Sequence, residues 1–231
     1  MNIKTFGNGK PELSLVCCLH GTEINGIYAL NSIDFNDVEG TVKVIVANEE
    51  AVALGKRYVD ADLNRSYPGD LNGNHEQQLA VQLYSEIKDS DYVIDIHTTS
   101  AKTDPFIITV KENALLSAFA QAIPLEKVVV MNDPDEKSLI SRLGCGLAVE
   151  FSEQDGTNHI CETVIGTLIN LWMYDGLPKI TEKMTYRTYG TLEQSSVPLT
   201  NFERAEINGE SFYPVLYGEK AYNFVCLKAR K

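Results

Sequence analysis

Two histidines and a glutamate stand where apolar runs break off. The run Leu13-Ser-Leu-Val-Cys-Cys-Leu19 stops at His20-Gly21-Thr22-Glu23, and Ile24, Ile27, Tyr28, Leu30 and Ile33 then recur at helical spacing. That pattern predicts a buried strand, a tight turn and a helix. Tyr92, Val93, Ile94 and Ile96 form a second run that ends at His97. Imidazole nitrogen and carboxylate oxygen are ordinary Zn²⁺ donors, and a catalytic zinc takes three protein ligands while keeping a fourth position open. In an open parallel α/β sheet, ligands bind beyond the carboxyl ends of the strands. His20, Glu23 and His97 are therefore expected to meet as a His₂Glu set for one Zn²⁺ per chain. Each residue alone carries less weight. A single His after a strand is more often a hydrogen-bonded loop residue, and an acid in a first helical turn is favoured by the helix dipole.

The elements that would position this set follow from periodicity. Val42-Lys-Val-Ile-Val-Ala47 reads as a strand, and residues 75–88, with Leu79, Leu83 and Ile87 on one side, as an amphipathic helix leading into the His97 strand. Between them residues 48–69 read as one long polar loop, and long loops in compact domains are usually functional. Further on, strands are expected at 105–110, 128–131 and 146–151 and helices at 114–122 and 160–174, the last closed by Gly176 and Pro178. Strand–helix alternation of this kind argues for α/β architecture with a largely parallel sheet. After Pro178 the texture changes to short β-like pieces at 185–192, 211–217 and 222–227, with an Asn208-Gly209 turn signal. The expected organisation is an α/β domain over 1–177 and a small β-rich C-terminal domain over 178–231.

Composition narrows the function classes. With 231 residues and 44% hydrophobic content the chain can build a sizeable core. A formal charge of −12 disfavours nucleic acid and anionic membranes as partners. Cys17, Cys18, Cys145, Cys161 and Cys226 have no regular spacing and suggest buried reduced thiols. No run has the length of a signal or of a membrane span, so a cytoplasmic protein is expected. The oligomeric state is left open, a homo-oligomer included.

Four blocks, in order, carry a family resemblance: Leu19-His-Gly-Thr-Glu23, Arg57-Tyr-Val-Asp-Ala-Asp-Leu-Asn64-Arg65, Asp95-Ile-His97 and Ala148-Val-Glu150. A weaker fifth is Tyr213-Pro-Val-Leu-Tyr-Gly-Glu-Lys-Ala-Tyr222. Together they resemble the succinylglutamate desuccinylase and aspartoacylase family of zinc amide hydrolases, related to the metallocarboxypeptidases. The resemblance implies a zinc-carboxypeptidase-like mixed, largely parallel sheet flanked by helices. It also implies zinc on His20, Glu23 and His97, Glu150 as the catalytic carboxylate, and Arg57 beside the scissile carbonyl. Asn64 and Arg65 would grip the substrate carboxylate, with Tyr222 a further substrate contact. The sequence departs from the family pattern at Thr98-Thr99-Ser100 after the second His. Arg142, eight residues before Glu150, only loosely matches an expected arginine.

The chemistry so implied is hydrolysis of the amide of a small anionic N-acyl amino acid. Zinc would activate a bound water at neutral pH, Glu150 would act as general base and then general acid, and Arg57 would stabilise the oxyanion. A metallocarboxypeptidase acting on peptide C-termini would use the same ligands, and a non-catalytic binding protein on this fold is a third reading. His75 is expected to be a surface residue, His159 a loop or helix-start residue, and the acids Asp133, Asp135 and Glu136 part of a solvated loop.

Overall fold

In a computed structural model, residues 1–153, 156–175 and 182–231 are described, with backbone only for 170–175. The helix stop expected at Gly176 and Pro178, and with it the 177/178 boundary, lies outside the described residues.

The second strand explains the architecture. In β2 (Glu12–Cys17), Leu13, Leu15 and Cys17 enter one apolar cluster and Val16 enters another, so the strand is buried on both faces. A strand covered on both sides reads as a continuous apolar run, which is why Leu13–Leu19 was legible. In β4 (Tyr92–Thr99), Ile94 and Ile96 join the first cluster and Val93 the second. β2 pairs parallel with both β3 (Gly40–Val46) and β4. β4 pairs parallel with β7 (Gly146–Ser152), which pairs antiparallel with β5 (Phe106–Thr109). Two elements that the periodicity did not predict complete the N-terminal half. β1 (Asn2–Asn8) is an antiparallel edge strand on β3, and α2 (Glu49–Leu54) is a short helix inside the expected loop.

β5 continues parallel through β6 (Lys127–Val130) to β8 (Met184–Leu192), and β11 (Cys226–Arg230), β10 (Glu210–Val215) and β9 (Ala205–Ile207) add antiparallel strands. The described strands form one mixed eleven-stranded sheet, parallel mostly at its centre, in the order β1-β3-β2-β4-β7-β5-β6-β8-β11-β10-β9. The C-terminal strands thus extend the sheet through β6. Of the helices, α1 (Asn25–Ser32), α4 (Ala114–Ala122) and α5 (Thr157–Asp175) put side chains into the first cluster, while α3 (His75–Ile87) packs with Val16 and Val93 in the second. The five cysteines are buried and unpaired. No helix among the described residues is long and apolar enough to cross a membrane.

α3 begins with a capping box: the Asn74 side chain accepts from Gln77 N at 3.0 Å, and Gln77 Oε1 accepts from Asn74 N at 3.0 Å. This fixes Glu76 one residue into the helix, where it is fully buried. Its carboxylate accepts from Val59 N (2.6 Å), Asp60 N (2.9 Å), Ala61 N (3.0 Å) and Asn48 Nδ2 (3.0 Å). One carboxylate thereby shapes the loop that runs from Arg57 to Arg65. Burial raises the Glu76 pKa, but the backbone donors outweigh it and hold the carboxyl below the usual 4.5.

The unfolded chain therefore takes up this proton at a higher pH than the folded protein. The stabilisation is complete above about pH 4.5 and is lost as pH falls through the folded pKa. Glu76→Gln is expected to lose about 2 kcal/mol at pH 7, by leaving a buried amide facing backbone N–H groups. It should also flatten the fall in stability below about pH 4.5. Urea unfolding from pH 3 to 7 checks both; an unchanged acid limb would show that Glu76 does not carry it.

Candidate metal centre

The turn after β2 is tight because Gly21 leaves it no side chain. A Cβ at Gly21 would lie 2.3 Å from the Ala51 carbonyl carbon and 2.4 Å from Val52 N, both in α2. Gly21 N donates to Arg57 O at 2.9 Å, and Glu23 N to His20 O at 3.0 Å. Just before the turn, Cys18 adopts a left-handed φ of 56°, a conformation that costs roughly 1–3 kcal/mol in a non-glycine residue. The surroundings hold it: Asn48 N donates to Cys18 O at 3.0 Å, and Cys18 Sγ donates to Glu23 O at 3.4 Å.

These constraints bring together the three residues expected as ligands. His20, Glu23 and His97 are only 4–7% exposed, and their donor atoms all lie within 4.8 Å of one another. Glu23 lies between the rings: Oε1 is 2.7 Å from His20 Nδ1, and Oε2 is 3.0 Å from His97 Nδ1 and accepts from Thr98 N at 3.1 Å. The site sits where strand order reverses, with β3 on one side of β2 and β4 on the other, the expected place for a ligand crevice.

The outer ring nitrogens are held as well. His97 Nε2 is 2.8 Å from Asp95 Oδ2, a residue two positions earlier on the same face of β4. His20 Nε2 is 3.1 Å from Asp62 Oδ1 and 3.0 Å from Arg57 Nη2. Burial opposes charging of every group here. For Glu23 the His20 and His97 partners outweigh burial and hold its carboxyl far below the usual range. Burial likewise lowers the His97 pKa, but Asp95 and Glu23 raise it well above the ordinary value. Asp62 is pulled down to about 2, burial being outweighed by His20 and Arg57.

This donor set fits zinc. With Asp95 holding the proton on His97 Nε2, Nδ1 presents a lone pair to a carboxylate oxygen 3.0 Å away. Two acceptors at that distance repel unless a cation, proton or metal, lies between them. Carboxylate–histidine pairs of this kind are the usual outer support of zinc ligands.

A cleft of about 210 Å³ opens over the cluster. Arg57, Asn64, Arg65, Glu150 and Tyr222 all line it, so every expected site residue falls in one place. Glu150 pairs in register with His97 across β4–β7 and is 8% exposed. Its carboxyl is pushed up to about 8, mainly by burial; His97 opposes this, and the negative charges of Glu23 and Glu219 add to it. Arg57 Nη1 donates to Glu23 Oε1 at 3.3 Å. Asn64 Oδ1 accepts from Leu139 N at 2.9 Å, which commits it to holding the neighbouring segment and leaves Nδ2 as its remaining donor. Asp62 lies against His20 and Arg57 rather than pairing with Arg65.

Three participants escaped the sequence reading. Asp95 was signalled by its spacing to His97. Asp62 and Glu219 were not, since each meets its partner across a long separation. Glu219 accepts from Thr99 Oγ1 and, at 2.9 Å, from Ser100 N, which ties the C-terminal segment to the end of β4. Asp133 is structural, accepting from Ser138 N at 3.0 Å. His75 contacts buried Asn48 at 3.1 Å, so it is more than a surface residue, whereas His159 is exposed.

A buried His₂Glu cluster that could hold a metal ion thus stands at the carboxyl ends of β2 and β4 in a mixed α/β sheet. Residues 9–159 match the model of the succinylglutamate desuccinylase/aspartoacylase catalytic domain, and the chain belongs to that family. Among sequence relatives, a probable aspartoacylase of Prochlorococcus marinus strain MIT 9313 is 31% identical over 160 residues, and one of strain NATL2A is 32% identical over 163. The matches cover 61% of this chain and only 53% and 52% of those relatives, so the chain spans about half their length. The fold is that of murine aminoacylase 3 (TM-score 0.73, 17% identity, 97% of this chain and 96% of that one). It is also that of succinylglutamate desuccinylase from Chromobacterium violaceum (TM-score 0.71, 17% identity, 96% and 84%). At such identities the likeness speaks for the fold alone.

His97→Ala is expected to abolish stoichiometric zinc binding, and Asp95→Asn to weaken it about 10–100-fold while the fold is retained. Competition against a chromophoric chelator measures both. Zinc held as tightly by Asp95→Asn as by the parent would remove Asp95 from the orienting role.

Proposed function

We propose that the protein is a zinc-dependent deacylase that hydrolyses the amide bond of an N-acyl amino acid. The observation that carries this reading is the convergence of the His20, Glu23 and His97 donors beside buried Glu150 in a chain of this family. Zinc, when bound there, supplies a Lewis acid that polarises the scissile carbonyl and acidifies the attacking water.

The chain's own residues supply the remainder. Glu150 takes the proton of the attacking water and passes it to the leaving nitrogen. A carboxyl pushed up toward neutrality by burial can serve both as base and as acid, since proton transfer is most effective when the pKa is near the working pH. A bound dication would draw that value back down. Arg57, already held against Glu23 and Asp62, presents its guanidinium to the developing oxyanion without reorganising. Arg65 offers a planar fork to the substrate carboxylate, supported by Asn64 Nδ2. Tyr222 contributes a wall from the C-terminal segment, and we assign residues 182–231 as the part that closes the cleft.

That closure weighs against a peptide substrate. Asn201 Oδ1 accepts from Tyr217 N at 2.8 Å while its Nδ2 donates to Lys102 O at 3.0 Å, and Glu219 fastens the following turn to Ser100. A carboxypeptidase would need this side open to admit the rest of the chain.

Zinc-loaded protein is expected to release free amino acid from N-acyl amino acids and not from peptides. Glu150→Gln should keep one zinc per chain and lose about 10²–10⁴-fold in kcat. Amine release read beside elemental analysis decides it. Peptide turnover alone would move the assignment to carboxypeptidase, and bound zinc with no turnover would leave a binding protein.

A further inference from the structure

Part of the cleft lining is apolar. Ile108 and Ala148, from β5 and β7, line it together with Ile140 and Leu216, all four buried. Val110 and Met131, partly buried, pack on the same cluster and complete the wall. Phe106, Tyr186 and Phe202 belong to the same apolar cluster.

The charged groups of the cleft are unevenly distributed. Arg57 and Arg65 are the only lysine or arginine side chains lining it among the described residues, whereas Glu23, Asp95, Asp133, Glu150 and Glu219 line it as acids. Arg57 is already engaged by Glu23 at 3.3 Å and by Asp62 at 3.7 Å. That leaves Arg65 for one carboxylate. Arg142 does not line the cleft; its Nε donates to Glu136 O at 2.8 Å, and its Nη1 lies 3.3 Å from the Glu136 carboxylate. A second carboxylate on the substrate would therefore meet hydrocarbon, like charge or the uncharged donors Thr98, Thr99, Asn132, Ser138 and Tyr222, with no second free lysine or arginine to pair it, and a buried carboxylate without a cationic partner is strongly disfavoured.

We propose that the substrate carries a single carboxylate, taken by Arg65, and an uncharged apolar second arm that lies on the Ile108–Met131–Ile140 wall, so that dicarboxylates are rejected. The apolar arm is either the amino-acid side chain or the acyl group. This inference rests on the deacylase reading above.

Two near-isosteric pairs test it on the zinc-loaded protein: N-acetyl-leucine against N-acetyl-aspartate for the side-chain arm, and N-(4-methylpentanoyl)-leucine against N-succinyl-leucine for the acyl arm. The neutral member is expected to win by on the order of 100-fold in kcat/KM in at least one pair, and that pair identifies the arm. Preference for the charged member in either pair, or parity in both, overturns the inference. Met131→Arg, at the partly exposed rim of the wall, should shift the winning ratio at least about tenfold toward the charged member. Val110→Lys is the second variant should the first fail to fold, and an unchanged ratio in a folded variant would remove the arm from this wall. If no N-acyl amino acid is hydrolysed, the deacylase reading fails by itself. Calorimetry of N-acetyl-leucine and N-acetyl-aspartate then decides the pocket: tighter binding of the leucine derivative upholds the apolar wall, and parity or the reverse rejects it.

Discussion

The structure depends on one buried carboxylate shared by two imidazoles. Glu23 reaches His20 Nδ1 at 2.7 Å and His97 Nδ1 at 3.0 Å from a position 7% exposed. Such a group is costly to bury unless every charge nearby is matched. The matching explains features that look unrelated. Asp95 and Asp62 take the far nitrogens, Arg57 takes the remaining side of Glu23, and Gly21 lets the turn sit close enough to α2 for these contacts to form. β2 and β4 fix the ring spacing because both are covered on two faces and cannot slide without exposing core side chains.

This logic also separates what could be seen in the sequence from what could not. His20, Glu23 and His97 were visible because each closes an apolar run, and a strand buried on both faces leaves an unmistakable run. Glu150 was carried by the family resemblance, since Ala148-Val-Glu150 alone is a weak signal, and it lies within β7, two residues before the strand ends. Asp95 was one step away, since a residue two positions before a histidine in a strand shares its face. Asp62, Glu76 and Glu219 were hidden because their meaning lies in partners 42, 15–17 and 119–120 residues distant. β1 was missed because only Ile3 and Phe6 give it any inward side, and Gly7 and Asn8 argue against a strand. α2 was missed because six residues span less than two turns and leave no measurable period.

Net charge takes on a different meaning once the site is known. A chain of formal charge −12 is a poor general attractor of anions, so recognition of an anionic substrate must be local. The local positive charge is spent unequally. Arg57 is drawn against the Glu23 and Asp62 carboxylates, where it can act on developing charge, and Arg65 remains at the mouth, where its Nη1 donates only to the carbonyl of Asn64 at 2.7 Å.

Glu219 joins anchoring to chemistry. By accepting from Thr99 and Ser100 it fastens the segment that carries Tyr222, which lines the cleft. The same carboxylate adds negative potential at Glu150, reinforcing the effect of burial on that carboxyl. A tail held by a neutral residue could be anchored equally well but would leave Glu150 more acidic and a weaker base. Fastening the tail with a carboxylate therefore sets two properties at once, the anchoring of a segment that lines the cleft and the proton affinity of the group proposed to act in it.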